Sequence, residues 1–335
     1  MFLTSRFGAV ASAGGKDKFL AVSDSSSPWI LVYAWANGFG TKYADPATLP
    51  SGSSTLNQFS PDAATLATGN LASPYILAYP WSAGFGTKYA DPATLPTNFA
   101  NAVAWSNAGT DIVAPHQTAP HVTAYPWSAG FGTKYADPAS ALGSQGVDGD
   151  FNDSDDTLFL ASSGSPYVAA YAWSSGFGSK YANPVTLPAG IGEGVKYSTT
   201  GDVAVAHRTS PYVTAYPWSA GFGTKYADPA TLPSDSSRHV TFTPNGDTVA
   251  LASAGTPYVL AYPWSAGFGS KYADPATIPT SGTSAVEFSR SGKNVGVATS
   301  ATPFILAYPW SAGFGSKYAD PATLPGSNSR GLSWA

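Results

Sequence analysis

Five acidic residues form the main local concentration of hard oxygen ligands in the chain: Asp148, Asp150, Asp153, Asp155 and Asp156. Their alternating spacing is similar to that of a calcium-binding loop, but the cluster lacks the closing glutamate and spans a predicted strand and turn. The sequence therefore leaves a calcium site and a solvated turn as alternatives. The four histidines show no metal-ligand spacing, so no other metal site is predicted.

Residues that could catalyse a reaction are also few. No nucleophile with a matching base stands out, and the GFG tripeptide lacks the rest of a dinucleotide fingerprint and recurs throughout the chain. Three charged residues, Asp150, Lys196 and Glu287, occupy similar places in different copies of a repeat and could converge on one axis. We expect a protein that is not an enzyme and binds no cofactor, and an enzyme acting at this axis is a third alternative.

The elements that would position these residues come from that repeat. Near-copies of PYILAYPWSAGFGTKYADPATLP, residues 74–96, occur throughout the chain, and each copy has a tryptophan at the position of Trp81. These tryptophans are Trp35, Trp81, Trp127, Trp173, Trp218, Trp264 and Trp310. They lie 46 residues apart, except for one step of 45. A period of this length along the whole chain predicts an array of one supersecondary unit.

Each repeat predicts four short strands, named A, B, C and D in chain order. In residues 56–96, the runs LNQFS and TLATG flank the turn PDAA, and the glycines of SAGFG separate YILAYPW from TKYADPATL. Four antiparallel strands per repeat are typical of a β-propeller blade. The sequence thus predicts an all-β, seven-bladed β-propeller of four-stranded antiparallel blades, with residues 1–335 as a single domain.

The chain also resembles the WD-repeat propellers. The segment VTFTPNGDTVALASAGTPYVLAYPW, residues 240–264, is similar to that family's strand, turn, second strand and Trp-ended third strand. It departs from the family because serine follows the tryptophan and no Gly-His pair precedes strand A, so the family's His/Asp network is not carried over. The resemblance implies that the B–C and D–A loops emerge together at one end of the ring.

The ends of the chain are expected to close the ring. Most copies of strand A carry an apolar residue two positions before an aromatic one, as in Val240 and Phe242. The first copy lacks this pair, whereas Leu332 and Trp334 reproduce it at the C-terminus. Residues 330–335 are therefore predicted to pair with residues 18–24 in the first blade, which removes two free sheet edges. Residues 1–14 are left as a possible N-terminal arm.

Five aromatic positions recur in each blade, and packing between blades is one explanation for them. The alternative is a sugar-stacking groove repeated in every blade, as in propeller lectins. The residues predicted for such a pocket are Trp81, Phe85, Trp127, Phe131, Trp218, Phe222, Trp264 and Phe268.

The copies differ most in the B–C and D–A loops, which makes that end of the ring the candidate for selective binding. The alternative is drift in exposed loops. The candidate residues at this end are His116, Gln117, His121, His207, Arg208, Arg238 and His239.

Composition excludes several classes of partner. Charged residues make up 11% of the chain and the net charge is −4, which gives no basic surface for nucleic acid. We expect no membrane insertion, because no apolar run approaches the length of a membrane span, and the N-terminus is not read as a signal peptide. Cysteine is absent, so the compartment cannot be inferred from disulfides.

The run AYPWSAGFGTKYADPATLP is similar to WD-like repeat proteins of tailed phages and prophages. This resemblance implies a non-enzymatic structural, docking or receptor-binding module, such as a tail, fibre or decoration protein, in a virion or outside the cell. Its partners would be other virion or scaffold proteins, or a host-surface receptor or glycan. The second alternative is a multivalent glycan-binding lectin, and the third is the enzyme with an axial site.

Overall fold

The computed structural model describes residues 17–335, and this part of the chain forms 23 β-strands and no helix. In chain order they are β1 (Phe19–Asp24), β2 (Ile30–Trp35), β3 (Phe39–Lys42), β4 (Ser54–Phe59), β5 (Thr65–Asn70), β6 (Ile76–Pro80), β7 (Ala104–Trp105), β8 (Asp111–Pro115), β9 (Val122–Pro126), β10 (Gly146–Phe151), β11 (Thr157–Ser162), β12 (Val168–Trp173), β13 (Phe177–Lys180), β14 (Gly192–Ser198), β15 (Asp202–His207), β16 (Val213–Pro217), β17 (Ser237–Phe242), β18 (Thr248–Ser253), β19 (Val259–Pro263), β20 (Thr283–Phe288), β21 (Asn294–Thr299), β22 (Ile305–Pro309) and β23 (Ser329–Trp334). The all-β prediction is confirmed. The predicted N-terminal arm, residues 1–14, lies outside the described residues, and within them no helix is long and apolar enough to cross a membrane.

The strands form seven antiparallel sheets, which are the blades of the predicted propeller. Blade 1 contains β23, β1, β2 and β3, and blade 4 contains β10 to β13. The other blades have three strands each, in the order A, B and C. Their A strands are β4 in blade 2, β7 in blade 3, β14 in blade 5, β17 in blade 6 and β20 in blade 7. The A strands contact one another around the ring and therefore surround its axis.

The C-terminal strand closes the ring as predicted. Strand β23 pairs antiparallel with β1, with Leu332 opposite Val22 and Trp334 opposite Leu20. The Trp334 ring packs edge-on against Trp35 with centroids 4.7 Å apart. The last strand thus supplies strand A of the first blade and covers the edge of β1.

The predicted fourth strand forms only in blades 1 and 4, and a proline explains the difference. The other five blades have a proline just before the repeated tryptophan, where blades 1 and 4 have Ala34 and Ala172. Strand C ends at this proline, as in Ile76–Pro80, and the Pro80 carbonyl accepts the N–H of Gly86 at 2.8 Å. An N–H at residue 80 would point to the same side as the carbonyl, but proline has no N–H. The C–D ladder therefore stops at an isolated bridge between Trp81 and Phe85.

Aromatic residues fill the interfaces between blades. The repeated tyrosine of strand C is fully buried in every blade, and the Tyr79 hydroxyl donates to the Thr48 carbonyl of the preceding blade at 3.0 Å. Trp81 packs edge-on against Tyr43 of that blade and against its own Phe85, at 5.1 and 5.0 Å. These rings hold adjacent blades together through large buried areas and edge-to-face contacts.

Candidate functional site

The inner strands line an axial cavity with two rings of side chains. Two positions of each strand A, two residues apart, correspond to one another from blade to blade and form the two rings. The upper ring, nearer the loop end, contains Leu56, Ala102, Asp148, Gly194, His239, Ala285 and Gly331. The lower ring contains Gln58, Ala104, Asp150, Lys196, Thr241, Glu287 and Ser333. The ionisable side chains of these rings come from blades 4 to 7, and Arg290, from the turn after β20, also lines the inner cavity and donates to backbone carbonyls of blades 1 and 2.

Several ring side chains bond to the free backbone edge of the next blade. One oxygen of Asp148 accepts the Val195 N–H at 3.0 Å, and one oxygen of Asp150 accepts the Tyr197 N–H at 2.8 Å. Blade 2 uses the same device, because the Gln58 side chain accepts the N–H of Trp105 at 2.8 Å. Each such bond satisfies a strand-edge group that has no partner within its own sheet.

Lys196 is the positively charged residue of the lower ring. Its Nζ donates to Asp150 at 3.0 Å, and Glu287 lies close enough to interact with it electrostatically. Burial disfavours the charged ammonium, but the two carboxylates outweigh that cost and raise the pKa of Lys196 above its usual value. Lys196 is therefore protonated throughout the physiological range.

His239 presents a free ring nitrogen to the cavity. Its Nδ1 lies 3.0 Å from the Val286 carbonyl, which can only accept, so Nδ1 carries the proton and Nε2 is an acceptor in the neutral ring. Burial lowers the pKa of His239, and the nearby Lys196 lowers it further, although Glu287 acts in the opposite direction. The imidazole is thus neutral at pH 7 and able to accept a proton.

Burial shifts the pKa values of Asp148 and Glu287 upwards. Burial raises the pKa of Asp148 to about 7, although the hydrogen bond from the Val195 N–H acts in the opposite direction. Burial also raises the pKa of Glu287, which faces Lys196 and His239. The cavity therefore combines an ammonium, a neutral imidazole and carboxyl groups in different protonation states, a combination that is typical of sites for acid–base chemistry.

The space at the axis has two connected parts. The inner cavity has a volume of about 150 Å³, and Asp148, Lys196 and His239 are among its walls. A wider cavity of about 520 Å³ lies at the loop end and shares Leu56 and His239 with the inner one. A small molecule entering from the loop end would reach the ionisable side chains through this mouth.

The loop-end candidates from the sequence separate into three groups. His116 and His207 are fully buried, and their Nε2 atoms lie 2.9 Å from Thr123 and Thr214 hydroxyls, so they do not form a recognition surface. Arg238 and His239 are beside the axis and line the mouth. The others lie in B–C loops: Gln117, His121 and Arg208, of which Arg208 forms an ion pair with Glu193 at the wall of the mouth.

The predicted calcium cluster is divided by the fold. Asp148 and Asp150 face the cavity, whereas Asp155 accepts the backbone N–H groups of Asn107 and Ala108 in the neighbouring blade at 2.7 and 2.8 Å. Asp156 accepts from the Asn152 side chain at 2.7 Å. Among residues 17–335 no group of three or more histidines or acids has metal-binding geometry. The spacing reflects one face of a strand followed by a turn, and the fold does not bring the five carboxylates together.

The aromatic residues of the predicted glycan pocket belong to the packing between blades. Trp81 and Trp264 are each 4% exposed. Trp127 and Trp218 are partly exposed, but each packs edge-on against the tyrosine of the preceding blade and its own phenylalanine, Phe131 or Phe222. Phe85 and Phe268 make the equivalent contact with Trp81 and Trp264. The geometry supports the packing explanation.

The sequence identified only part of the axial group. Asp150, Lys196 and Glu287 were predicted to converge and do so. Asp148 and His239 were missed as axial residues, although each lies two residues before an axial position of its own strand. A β-bulge lies just before each of them, between Gly146 and Asp148 and between Ser237 and His239, so they are the first residues of the regular alternation. The sequence does not show how far towards the loop this alternation extends.

Comparison with known proteins identifies the fold. No protein-family model matches the chain, and no curated protein matches its sequence. A putative 6-phosphogluconolactonase from Bacteroides uniformis has a TM-score of 0.70 and 12% identity, with 96% of this chain and 100% of that chain covered. Pseudomonas aeruginosa periplasmic gluconolactonase, PpgL, gives 0.69 and 14%, with 94% and 98% covered. The Cps50 (Swd1) β-propeller domain of Myceliophteria thermophila gives 0.60 and 10%, with 84% and 90% covered.

These neighbours contradict the expected non-enzymatic function. Two of the three are named as lactonases, and they share the propeller with this chain over nearly their whole length. The prediction of a non-enzymatic virion module, with a lectin as its alternative, is therefore wrong, and the comparisons provide no link to phages. Identities of 10–14% show the fold alone, so the fold by itself does not assign a reaction.

Proposed function

We propose that the protein is an enzyme that hydrolyses a small lactone, the cyclic ester of a sugar acid, in its axial cavity. The observation that carries the proposal is the convergence of ionisable side chains from blades 4 to 7 on one side of that cavity. The neighbours that are named as lactonases supply the substrate class.

The axial side chains are not explained by the fold alone. The segment from strand C to the start of the D–A loop is nearly identical in all seven blades. The two axial positions of strand A differ from blade to blade. Blade 3 has only Ala102 and Ala104 at these positions, and the ring still closes. An ammonium, an imidazole and three carboxyls are therefore not needed to build a blade, and their concentration favours a chemical role.

The arrangement suits attack of water on an ester carbonyl. Nε2 of neutral His239 would accept a proton from the attacking water as general base. The Lys196 ammonium would stabilise the negative charge that develops on the carbonyl oxygen. Asp150 positions that ammonium through its ion pair at 3.0 Å, and Glu287 helps to keep it charged.

The dimensions of the site fit a small substrate. The mouth cavity of about 520 Å³ lies within the roughly 300–1,000 Å³ of typical small-molecule sites. Apolar walls from Leu56 and Val147 alternate with the polar side chains of Asn101 and Ser284, as expected for a site that orients a hydroxylated ring. The inner cavity then admits only the reacting end of the molecule.

Proton release measured at constant pH tests the proposal directly. Wild-type protein should open glucono-δ-lactone or its 6-phosphate faster than the lactone opens spontaneously in buffer. Lys196→Met and His239→Gln should each lower kcat by about 10²-fold or more, since each removes a group that acts in the transition state. Lys88→Ala, which removes a partly buried lysine paired with Asp91 outside the axial cavities, is the matched control and should leave the rate unchanged.

The pH profile adds a second criterion. The base must be neutral, and the pKa of His239 is lowered below its ordinary value of 6.5. The value of kcat/KM should therefore stay constant as the pH falls through 6.5 and decline only at lower pH. If the wild type accelerates none of the lactones, the proposed function is wrong.

A further inference from the structure

Asp148 and His239 both line the inner axial cavity. Gly194 lies between them in the upper ring, and a Cβ atom at this position would lie 3.1 Å from the His239 Cα and 3.3 Å from the Val240 nitrogen. The backbone of β17 therefore packs closely against β14 at this glycine. The space open to a substrate is that of the inner cavity, which the Asp148 carboxyl group and the His239 imidazole share.

Asp148 and Asp150 lie on the same strand but have different partners. Asp150 pairs with the Lys196 ammonium and accepts the N–H of Tyr197. Asp148 accepts the Val195 N–H at 3.0 Å and also interacts with the Gly149 N–H, and the residue is 5% exposed. The charged groups that face it are Asp150 on its own strand and Lys196 on β14, which is bonded to Asp150. Asp148 therefore has no cation bonded to it to hold it ionised.

We propose that Asp148 is the general acid of the lactonase reaction, donating a proton to the ring oxygen of a substrate that enters the inner cavity shared by Asp148 and His239. The inference rests on the proposed function. One carboxyl oxygen accepts the Val195 N–H, and the other carries the proton in the protonated form.

The protonation state of Asp148 agrees with this role. Burial raises its pKa to about 7, with the charge of Asp150 acting in the same direction. Near neutral pH a large fraction of the molecules therefore holds a proton on Asp148 while His239 is neutral. The acid and the base are thus available together, as a general acid–base pair requires.

The proposed step conserves atoms and protons. The water oxygen bonds to the carbonyl carbon as one water proton passes to His239 Nε2. The bond between that carbon and the ring oxygen then breaks, and the departing alkoxide takes the proton of Asp148. The proton on His239 returns to Asp148 through water, and the hydroxy-acid product ionises, so one proton per turnover enters solution.

Two kinds of lactone separate a general acid from other roles. An aliphatic lactone such as glucono-δ-lactone expels an alkoxide, which needs protonation, whereas the aryl lactone dihydrocoumarin expels a phenolate, which does not. Asp148→Asn should lower kcat by about 10²–10⁴-fold on the aliphatic lactone and by less than about threefold on the aryl lactone. Asp150→Asn is the matched control and should slow both, because it releases Lys196.

A second measurement reports the proton itself. Carboxyl ¹³C NMR of wild type and Asp148→Asn assigns the Asp148 signal, which should titrate near neutral pH without substrate. Equal losses of kcat for Asp148→Asn on both lactones would overturn the general acid and leave the lactonase proposal intact. An Asp148 signal showing an ionised carboxylate at pH 5 would do the same. Wild-type protein that opens neither lactone would overturn both.

Discussion

The axial side chains illustrate how one residue can serve both the fold and a reaction. One oxygen of Asp148 accepts a backbone N–H of the next blade, as the side chain of Gln58 does in blade 2. A hydrogen bond to the backbone also fixes His239, because Nδ1 donates to the Val286 carbonyl and leaves Nε2 free. Side chains that are held by the backbone in this way lose little freedom when a substrate binds, so they are preorganised for catalysis.

The buried histidines should control stability in acid. His207 is fully buried at the end of β15, and burial lowers its pKa from 6.5 to about 4. Between these values the unfolded chain binds more protons than the folded chain, so the free energy of unfolding falls as the pH is lowered. The loss is on the order of 3 kcal/mol for this shift.

Replacement with the serine of other blades tests this effect. Ser162 and Ser253 occupy the position of His207 in blades 4 and 6 and bond to their own B–C loops. In urea titrations, the stability of wild type relative to His207→Ser should decrease steadily from pH 6.5 to pH 4. A difference between the two proteins that is independent of pH would contradict a neutral buried histidine.

The residues that face the axis could be predicted only in part. Lys196 and Glu287 lie well inside strand A and were correctly placed at the axis. His239 was placed in a loop and Asp148 in a calcium cluster, although each is the first residue of the regular alternation, directly after a bulge. The point where regular pairing begins depends on the neighbouring strand and is not encoded in the residue pattern of one strand.

The strands differ in how strongly the repeat constrains them. Strand C and the following turns make the inter-blade contacts, and they are almost identical in every copy. Strand A faces its neighbours around the axis and varies in length from two residues in β7 to seven in β14. The blade count could be read from the constant part, whereas the site lies in the variable part. Specific chemistry therefore comes from the element that the repeat constrains least.

The proline of strand C should decide whether a blade has a fourth strand. Pro80→Ala restores the missing N–H, so amide hydrogen exchange should show a protected N–H at residue 80 and new protection in residues 85–88. A ladder hydrogen bond contributes about 0.5–1.5 kcal/mol, and loss of proline costs about 0.4–1 kcal/mol through the unfolded chain, so little net change in stability is expected. The reverse change, Ala34→Pro in blade 1, should remove the protection of β3. If strand D forms with proline in place, the explanation fails.

Closure of the ring depends on the last strand. Trp334 is 3% exposed, and its indole N–H donates to the Glu287 carbonyl of blade 7 at 3.1 Å. The Ala335 carbonyl accepts the N–H of Phe19 at 2.7 Å. Strand β23 therefore joins the first blade to the last. It was predictable because Leu332 and Trp334 repeat the apolar and aromatic pair of the other A strands.

Removal of this strand should open the molecule. Deletion of residues 330–335 exposes the edge of β1 and the face of blade 7, so the truncated protein should lose its cooperative thermal transition or associate. Trp334→Ala should lower the free energy of unfolding by about 3–5 kcal/mol, the usual cost of removing a buried tryptophan side chain. Differential scanning calorimetry with light scattering measures both effects, with Lys88→Ala as control. A truncated monomer with unchanged melting would show that β23 is dispensable.

The whole ring brings together groups that are distant in the sequence, and the central claim is that they form a lactonase site. The most direct test is the initial rate of proton release from glucono-δ-lactone and its 6-phosphate at constant pH, with wild type and Lys196→Met compared at equal concentration. We expect wild type to exceed the spontaneous rate on at least one of these lactones and Lys196→Met to lose most of that excess. Equal rates for wild type, Lys196→Met and buffer alone would contradict the claim.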